Sequence, residues 1–320
     1  MTDPQEKAAV EGSIVSRLKV SPWVRISKPF KHQTMLYPFL LGTTLAWFEQ
    51  GSLNWPVFLV SLIAVVLLVE AAYVSNEYYD YETDKINASE ITGGSKVLVE
   101  GLMEKKQAGR MALVSFLLAL PLGIMLQFYF DTGVWTLPLG LTGMLLAYAY
   151  SGAPFRLSYR GLGEVSLAVN NSWTPIFAGY YLQVHHLSWL PTVVSLPYMV
   201  GVLSQKLIRE FPDVEADREA QRKNLVVIFG RERMAPVYIF LIIAMFLLYI
   251  PFFFLGVSKV ALLLILVPMF FFFKNLLGVR EGKWTSKDGL RFLNANGFLA
   301  MFLVPVSLIA VFILAGLLGG

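Results

Sequence analysis

The sequence predicts an all-α membrane protein, a polytopic bundle of about nine transmembrane helices. Three observations carry this. Of the 320 residues, 56% are hydrophobic and 14% aromatic, and the mean hydropathy of +0.60 is above that of a soluble domain with a wet surface. The runs 57–69, 111–130, 239–255 and 261–273 hold almost no charge, and with their flanks each supplies the roughly 20 apolar residues that cross a bilayer. Backbone groups in hydrocarbon must be bonded within their own segment, which selects helices over open strands.

Hydropathy, Pro/Gly punctuation and charge place the spans at 33–48, 55–79, 108–130, 134–151, 162–183, 189–209, 234–254, 258–278 and 290–316. Residues 1–32 are polar and mixed in charge, without the apolar core and cleavage site of a signal peptide, and read as a cytoplasmic or interfacial segment. The second span runs into an acidic stretch. The third and fourth are joined by a short link, the fifth carries Asn170 and Asn171, and the sixth runs into a second acidic stretch. The last three are nearly uncharged inside. The whole chain, 1–320, reads as one transmembrane domain.

Distributing the 26 Lys and Arg over the intervening segments puts 25 on one side of the membrane and 1 on the other. Under the positive-inside rule, the N-terminus and the long polar loops 80–110 and 206–233 face the cytoplasm and the C-terminus faces out. The chain has no cysteine, which excludes disulfides, thiolate metal sites and cysteine nucleophiles.

Chemistry is expected in the two acidic stretches. In the first, Asn76, Asp80 and Asp84 follow at i, i+4 and i+8 and share a helix face if the second span continues through them. Glu77 and Glu82 fall off that face and read as solvated or supporting. In the second, Asp213 and Asp217 repeat the i, i+4 spacing. Like charges so placed destabilise a helix by a few tenths of a kcal/mol, and cost more near hydrocarbon, so a compensating partner is expected. Oxygen ligands with no Cys or His nearby suit Mg²⁺, with Mn²⁺ as a substitute, each ion taking one or two carboxylates plus phosphate oxygens. Lys96, Arg156 and Arg209 are candidate diphosphate contacts among the surrounding cations. Gly93-Gly94-Ser95 offers backbone N–H groups to an anion or simply turns the chain. Arg25 and Lys28 either anchor the N-terminal segment at the headgroups or point at an acidic substrate. Gln127, Asn170, Asn171, Ser172, Asn294 and Asn296 line a cavity or bond between helices.

These residues resemble a family. Asn76-x-x-x-Asp80-x-x-x-Asp84 with Asp213-x-x-x-Asp217 looks like the paired motifs of the UbiA superfamily of intramembrane prenyltransferases. Arg25 to Pro29, Gly94 to Gly101, Tyr150 to Leu157, Gly161 to Glu164, and Lys223-Asn224-Leu225 followed by Phe229-Gly230 fall in the family's order, so the resemblance covers residues 21 to 310. It implies nine helices around a central cavity, two Mg²⁺ ions held by Asn76, Asp80, Asp84, Asp213 and Asp217, and the four aspartates as the catalytic set. Lys96, Tyr150, Arg156 and Arg209 would bind the diphosphate, and Arg25, Lys28 and Asn170 the acceptor. The implied reaction moves a polyprenyl group from its diphosphate to an aromatic acceptor, in a bacterial or archaeal plasma membrane, with no nucleic-acid partner. The loop after the first motif and the Gly-Leu-Gly-Glu stretch are similar to the 1,4-dihydroxy-2-naphthoate prenyltransferases of menaquinone synthesis. Departures are Glu77, where the family commonly has Asp, and Gln221 and Asn224, near common Gly and Thr. They leave glyceryl phosphate or a chlorophyllide open as acceptor. From another class, a divalent-cation transporter would also place carboxylates at the membrane edge.

Overall fold

The computed structural model describes residues 21–86 and 94–318. Residues 1–20, Gly93 of the glycine turn and the two terminal glycines lie outside them. Every regular element among the described residues is helical. A short helix α1 (Pro22–Ser27) leads into α2 (Pro29–Gln50), with Lys28 between them at φ 49° and Pro29 at the first helical position, where its missing N–H costs nothing. Gly51, in the left-handed conformation, ends α2 by donating to the Trp47 carbonyl. Then come α3 (Trp55–Tyr79), N-capped by Asn54, and a short acidic helix α4 (Tyr81–Ile86). After the loop, α5 (Lys105–Ile124) opens with a Glu104/Gln107 capping box and runs on through a π-turn, Met125–Tyr129.

The second group begins with α6 (Thr136–Ser151). One rod then comprises α7 (Gly163–Ala168), a π-turn at Val169–Trp173 and α8 (Thr174–Val184). It is followed by α9 (Leu190–Glu210), a second short acidic helix α10 (Val214–Glu219) and α11 (Leu225–Phe229). Three rods finish the chain: α12 (Arg231–Leu247), α13 (Leu266–Arg280) entered through the 3₁₀ turn Ala261–Ile265, and α14 (Lys287–Leu317). The long helical segments fall on the expected spans to within a few residues at each end. Five of them, Trp55–Tyr79, Lys105–Tyr129, Arg231–Phe254, Ala261–Arg280 and Lys287–Leu317, are long and apolar enough to cross a membrane.

The surface follows the rules of a lipid solvent. Leu113, Leu117, Phe240 and Phe253 are exposed, whereas Asn275 is fully buried and bonds Tyr238 and the Leu293 carbonyl across the helix contacts. Gln127 likewise accepts from the Leu137 N–H, and Asn294 and Asn296 donate to carbonyls one turn back in α14, so these three serve helix bonding. α2 and α8 meet backbone to backbone. A Cβ on Gly42 would stand 1.9 Å from the Ile176 carbonyl oxygen and one on Gly179 2.2 Å from that of Phe39. That contact sets the rod carrying Asn170 against α2, the helix that follows Lys28.

Candidate functional site

The first acidic stretch is continuous with α3 in hydrogen bonding but bends at Asp80. The Asp80 N–H donates to the Asn76 carbonyl and the Asp84 N–H to the Asp80 carbonyl, both at 2.8 Å, so the i, i+4 stacking survives into α4. In the second stretch Asp213 caps α10, and the Asp217 N–H donates to its carbonyl at 2.8 Å. α4 and α10, more than a hundred residues apart in the chain, pack against each other. Asn76, Asp80, Asp84, Asp213 and Asp217 all line one cavity of about 240 Å³.

The residues flanking that cavity are not distributed as charge alone suggests. Glu77 is buried rather than solvated: it pairs with Lys28 and accepts from the Ser95 N–H and hydroxyl. It thereby fastens the loop after the first motif, so the N–H of Ser95 meets an anion of the chain itself. Gly94 presses against Asp84, and Lys96 reaches over to donate to the Asp84 backbone carbonyl at 2.8 Å. Burial, with Glu77 and Asp80 nearby, raises Asp84 to about 6, against the pull of Lys28 and Lys96.

Around the second stretch, burial pushes Asp217 above the usual carboxylate range, opposed by Arg222, Lys206 and a hydrogen bond from Asn224. Arg222 donates to the Tyr150 hydroxyl at 2.9 Å. Tyr159 bonds Thr83 at 2.6 Å and approaches Asp80 at 3.5 Å, tying the loop after α6 to α4.

Of the remaining expected residues, Lys28, Tyr150, Arg209 and Asn170 line the cavity. Lys96, Arg156 and Arg25 are not in its wall. Arg156 stacks on Tyr159 with its guanidinium 4.0 Å from the ring centre. Arg25 makes a two-pronged ion pair with Glu100, both bonds 2.7 Å, and holds α1 against the loop. Lys31 lines the cavity and was not singled out from sequence. It lies in the first turn of α2, which follows the left-handed Lys28.

Among the described residues, no three Asp, Glu or His side chains form a ready-made ion cage. Asn76 Oδ1 and Asp213 Oδ1 are nevertheless buried without a hydrogen-bond partner, one from each stretch. Orphaned acceptors facing a polar cavity fit hard cations that complete their shell with substrate oxygens. Asn170, in the π-turn, also has an unpartnered Oδ1 and borders a second, apolar cavity of about 120 Å³ running between α3, α5, α6 and α8. Met35, Ala72 and Ala147 border both.

The all-helical membrane bundle thus holds oxygen donors and cations around one cavity and borders it with a second, apolar one. The family follows from comparison: residues 35–302 match the UbiA prenyltransferase family, and the chain belongs to it. It is 26% identical over 208 residues to a 1,4-dihydroxy-2-naphthoate octaprenyltransferase of Bacillus subtilis, covering 65% of this chain and 66% of that protein, just under two thirds of its length. It is 21% identical over 290 residues to the digeranylgeranylglyceryl phosphate synthase of Methanosphaera stadtmanae, covering 90% of this chain and 98% of that one. A UbiA homologue from Archaeoglobus fulgidus, solved bound to DMAPP and Mg²⁺, shares the fold with a TM-score of 0.66 at 16% identity, over 91% of this chain and 100% of that one. Membership of a transferase family removes the ground for the cation-transport reading.

Proposed function

We propose that this protein transfers a polyprenyl group from polyprenyl diphosphate to an electron-rich aromatic acceptor of the 1,4-dihydroxy-2-naphthoate kind, with Mg²⁺. The observation that carries it is the meeting of α4 and α10 at one cavity, each stretch contributing an unpartnered buried acceptor, Asn76 Oδ1 and Asp213 Oδ1. Nine helices cross the membrane, and the 25 to 1 bias of Lys and Arg puts this cavity on the cytoplasmic side.

Asn76, Asp80 and Asp84 would hold one Mg²⁺ ion and Asp213 and Asp217 a second; when bound, the metal neutralises the charge that gathers on the departing diphosphate. Arg209, which lines the same cavity, supplies a cation to those oxygens. Tyr150 is held by Arg222 at the cavity edge. Lys96 acts on the site by fixing the Asp84 backbone, and Arg156 by bracing Tyr159. The C–O bond breaks with its electron pair leaving on the diphosphate, and the allylic carbon, kept from water by the apolar cavity, accepts the electron pair of an acceptor carbon. The ring proton then departs. Asn170, at the junction of the two cavities, accepts a hydrogen bond from an acceptor hydroxyl, and Lys28 and Lys31 face an acceptor carboxylate.

The test is incubation of the purified chain with Mg²⁺, geranylgeranyl diphosphate and a panel of naphthoate, benzoate, homogentisate, chlorophyllide and glyceryl phosphate acceptors, read by mass spectrometry. Turnover is expected with a naphthoate and absent in Asp80→Ala and Asp213→Ala that still insert. Near-normal rates in those variants overturn the metal assignment, and product on glyceryl phosphate alone overturns the aromatic acceptor.

A further inference from the structure

Asp217 is held from behind by a loop that folds back onto it. The Arg222 N–H donates to the Asp217 carbonyl at 2.7 Å, closing a tight return after α10 that delivers residue 224 beside the carboxylate. Asn224, only 1% exposed, uses both ends of its amide there. Its Nδ2 donates to Asp217 Oδ2 at 2.6 Å, and its Oδ1 accepts from the Val227 N–H at 2.8 Å, capping α11. The next N–H, of Leu225, donates to Glu164 Oε1 at 2.6 Å, and Glu164 is itself 1% exposed on α7. The loop is thus anchored to a long rod as well as to its own helix.

From this geometry we infer that Asn224 is a positioning residue for Asp217: its amide occupies Oδ2 and turns Oδ1 toward the cavity as a cation ligand. Two facts support the division of labour between the oxygens. Arg222 stands 4.0 Å from Oδ1, beyond hydrogen-bond reach, so that oxygen is not consumed by the neighbouring guanidinium. An amide has an acceptor and a donor on separate atoms, so one side chain can cap a helix and orient a carboxylate at once. A serine hydroxyl is a single atom, able to occupy the capping end without reaching the carboxylate. Asn224 therefore stands behind a ligand as outer-shell partners of metal sites do, where their loss weakens metal affinity by roughly 10 to 100-fold.

The inference rests on the cation site proposed above, and the test separates the two. Mn²⁺ binding to the full chain in nanodiscs, with inorganic pyrophosphate present, is followed by electron paramagnetic resonance for the wild type, Asn224→Ser and Asn224→Ala. Asn224→Ser keeps the cap and is expected to melt close to the wild type, yet to bind Mn²⁺ about tenfold more weakly. Asn224→Ala loses both contacts and is expected to be weaker in both readouts. In turnover, the KM for Mg²⁺ rises in Asn224→Ser more than kcat falls. If the wild type takes up no Mn²⁺, the cation site fails and this inference with it. If the wild type binds and Asn224→Ser binds equally well, the cation site stands and Asn224 is a helix cap and nothing more.

Discussion

Gly94→Ala adds one methyl group and is expected to disable the site. A Cβ built at residue 94 would lie 2.2 Å from Asp84 Oδ2 and 3.1 Å from Glu77 Oε1. Ordinary contact begins at 3.4 Å, so the Asp84 carboxylate has to retreat by about 1 Å, the scale of misplacement that costs on the order of 100-fold in rate. The backbone cannot share the movement. Lys96 fixes the Asp84 carbonyl, and the Ser95 N–H holds the loop to Glu77, itself paired with Lys28. Prenyl transfer should therefore fall by about two orders of magnitude while the thermal midpoint in detergent stays within a few degrees of the wild type. Turnover within threefold of the wild type would show that Asp84 does not act from the place it occupies. A collapse of the thermal midpoint would show that Gly94 serves the fold instead.

Three further outcomes concern the site and its neighbouring loop. With Asp84 raised to about 6, its ionised fraction falls about tenfold between pH 7 and 5, and a cation arriving there must displace a proton. Mn²⁺ affinity should weaken about tenfold over that interval, level off above pH 7, and lose the step in Asp84→Asn; a flat wild-type profile would refute it. For the cation-free protein the dependence reverses: the fold holds this proton more tightly than the unfolded chain, so stability declines as pH rises from about 4 to about 6. Gln221 sits in the left-handed region at φ 57°. Gln221→Gly removes a left-handed penalty of about 1 kcal/mol and adds a similar entropy cost in the unfolded chain, so melting should be unchanged or slightly raised. A clear fall in the midpoint would mean the Gln221 side chain holds the loop.

Periodic features carried from sequence to structure. Uncharged runs marked the rods because lipid imposes a length and a composition on every helix that crosses it. The i, i+4 spacing of the acids was readable because a helix repeats it wherever it lies, and the bend at Asp80 kept the hydrogen bonds that preserve it. Pairings between distant segments were not readable. Arg25, open in the sequence to a headgroup or a substrate role, meets Glu100, 75 residues away, while Lys28 and Lys31 line the cavity.

Glu77 shows what a supporting residue does that helical spacing alone does not specify. On helical spacing it points away from Asn76, Asp80 and Asp84, and a carboxylate so turned reads either as solvated or as supporting. Here the loop that follows the motif returns over that face and supplies two donors from Ser95 and a glycine small enough to touch Asp84, while Lys28, between α1 and α2, supplies the cation. The longer side chain found where the family commonly has Asp is the one that spans from α3 to this loop and to Lys28 together. A residue that looks peripheral by spacing thus sets the position of Asp84, and the loop, Lys28 and the first acidic stretch should respond to perturbation as one unit.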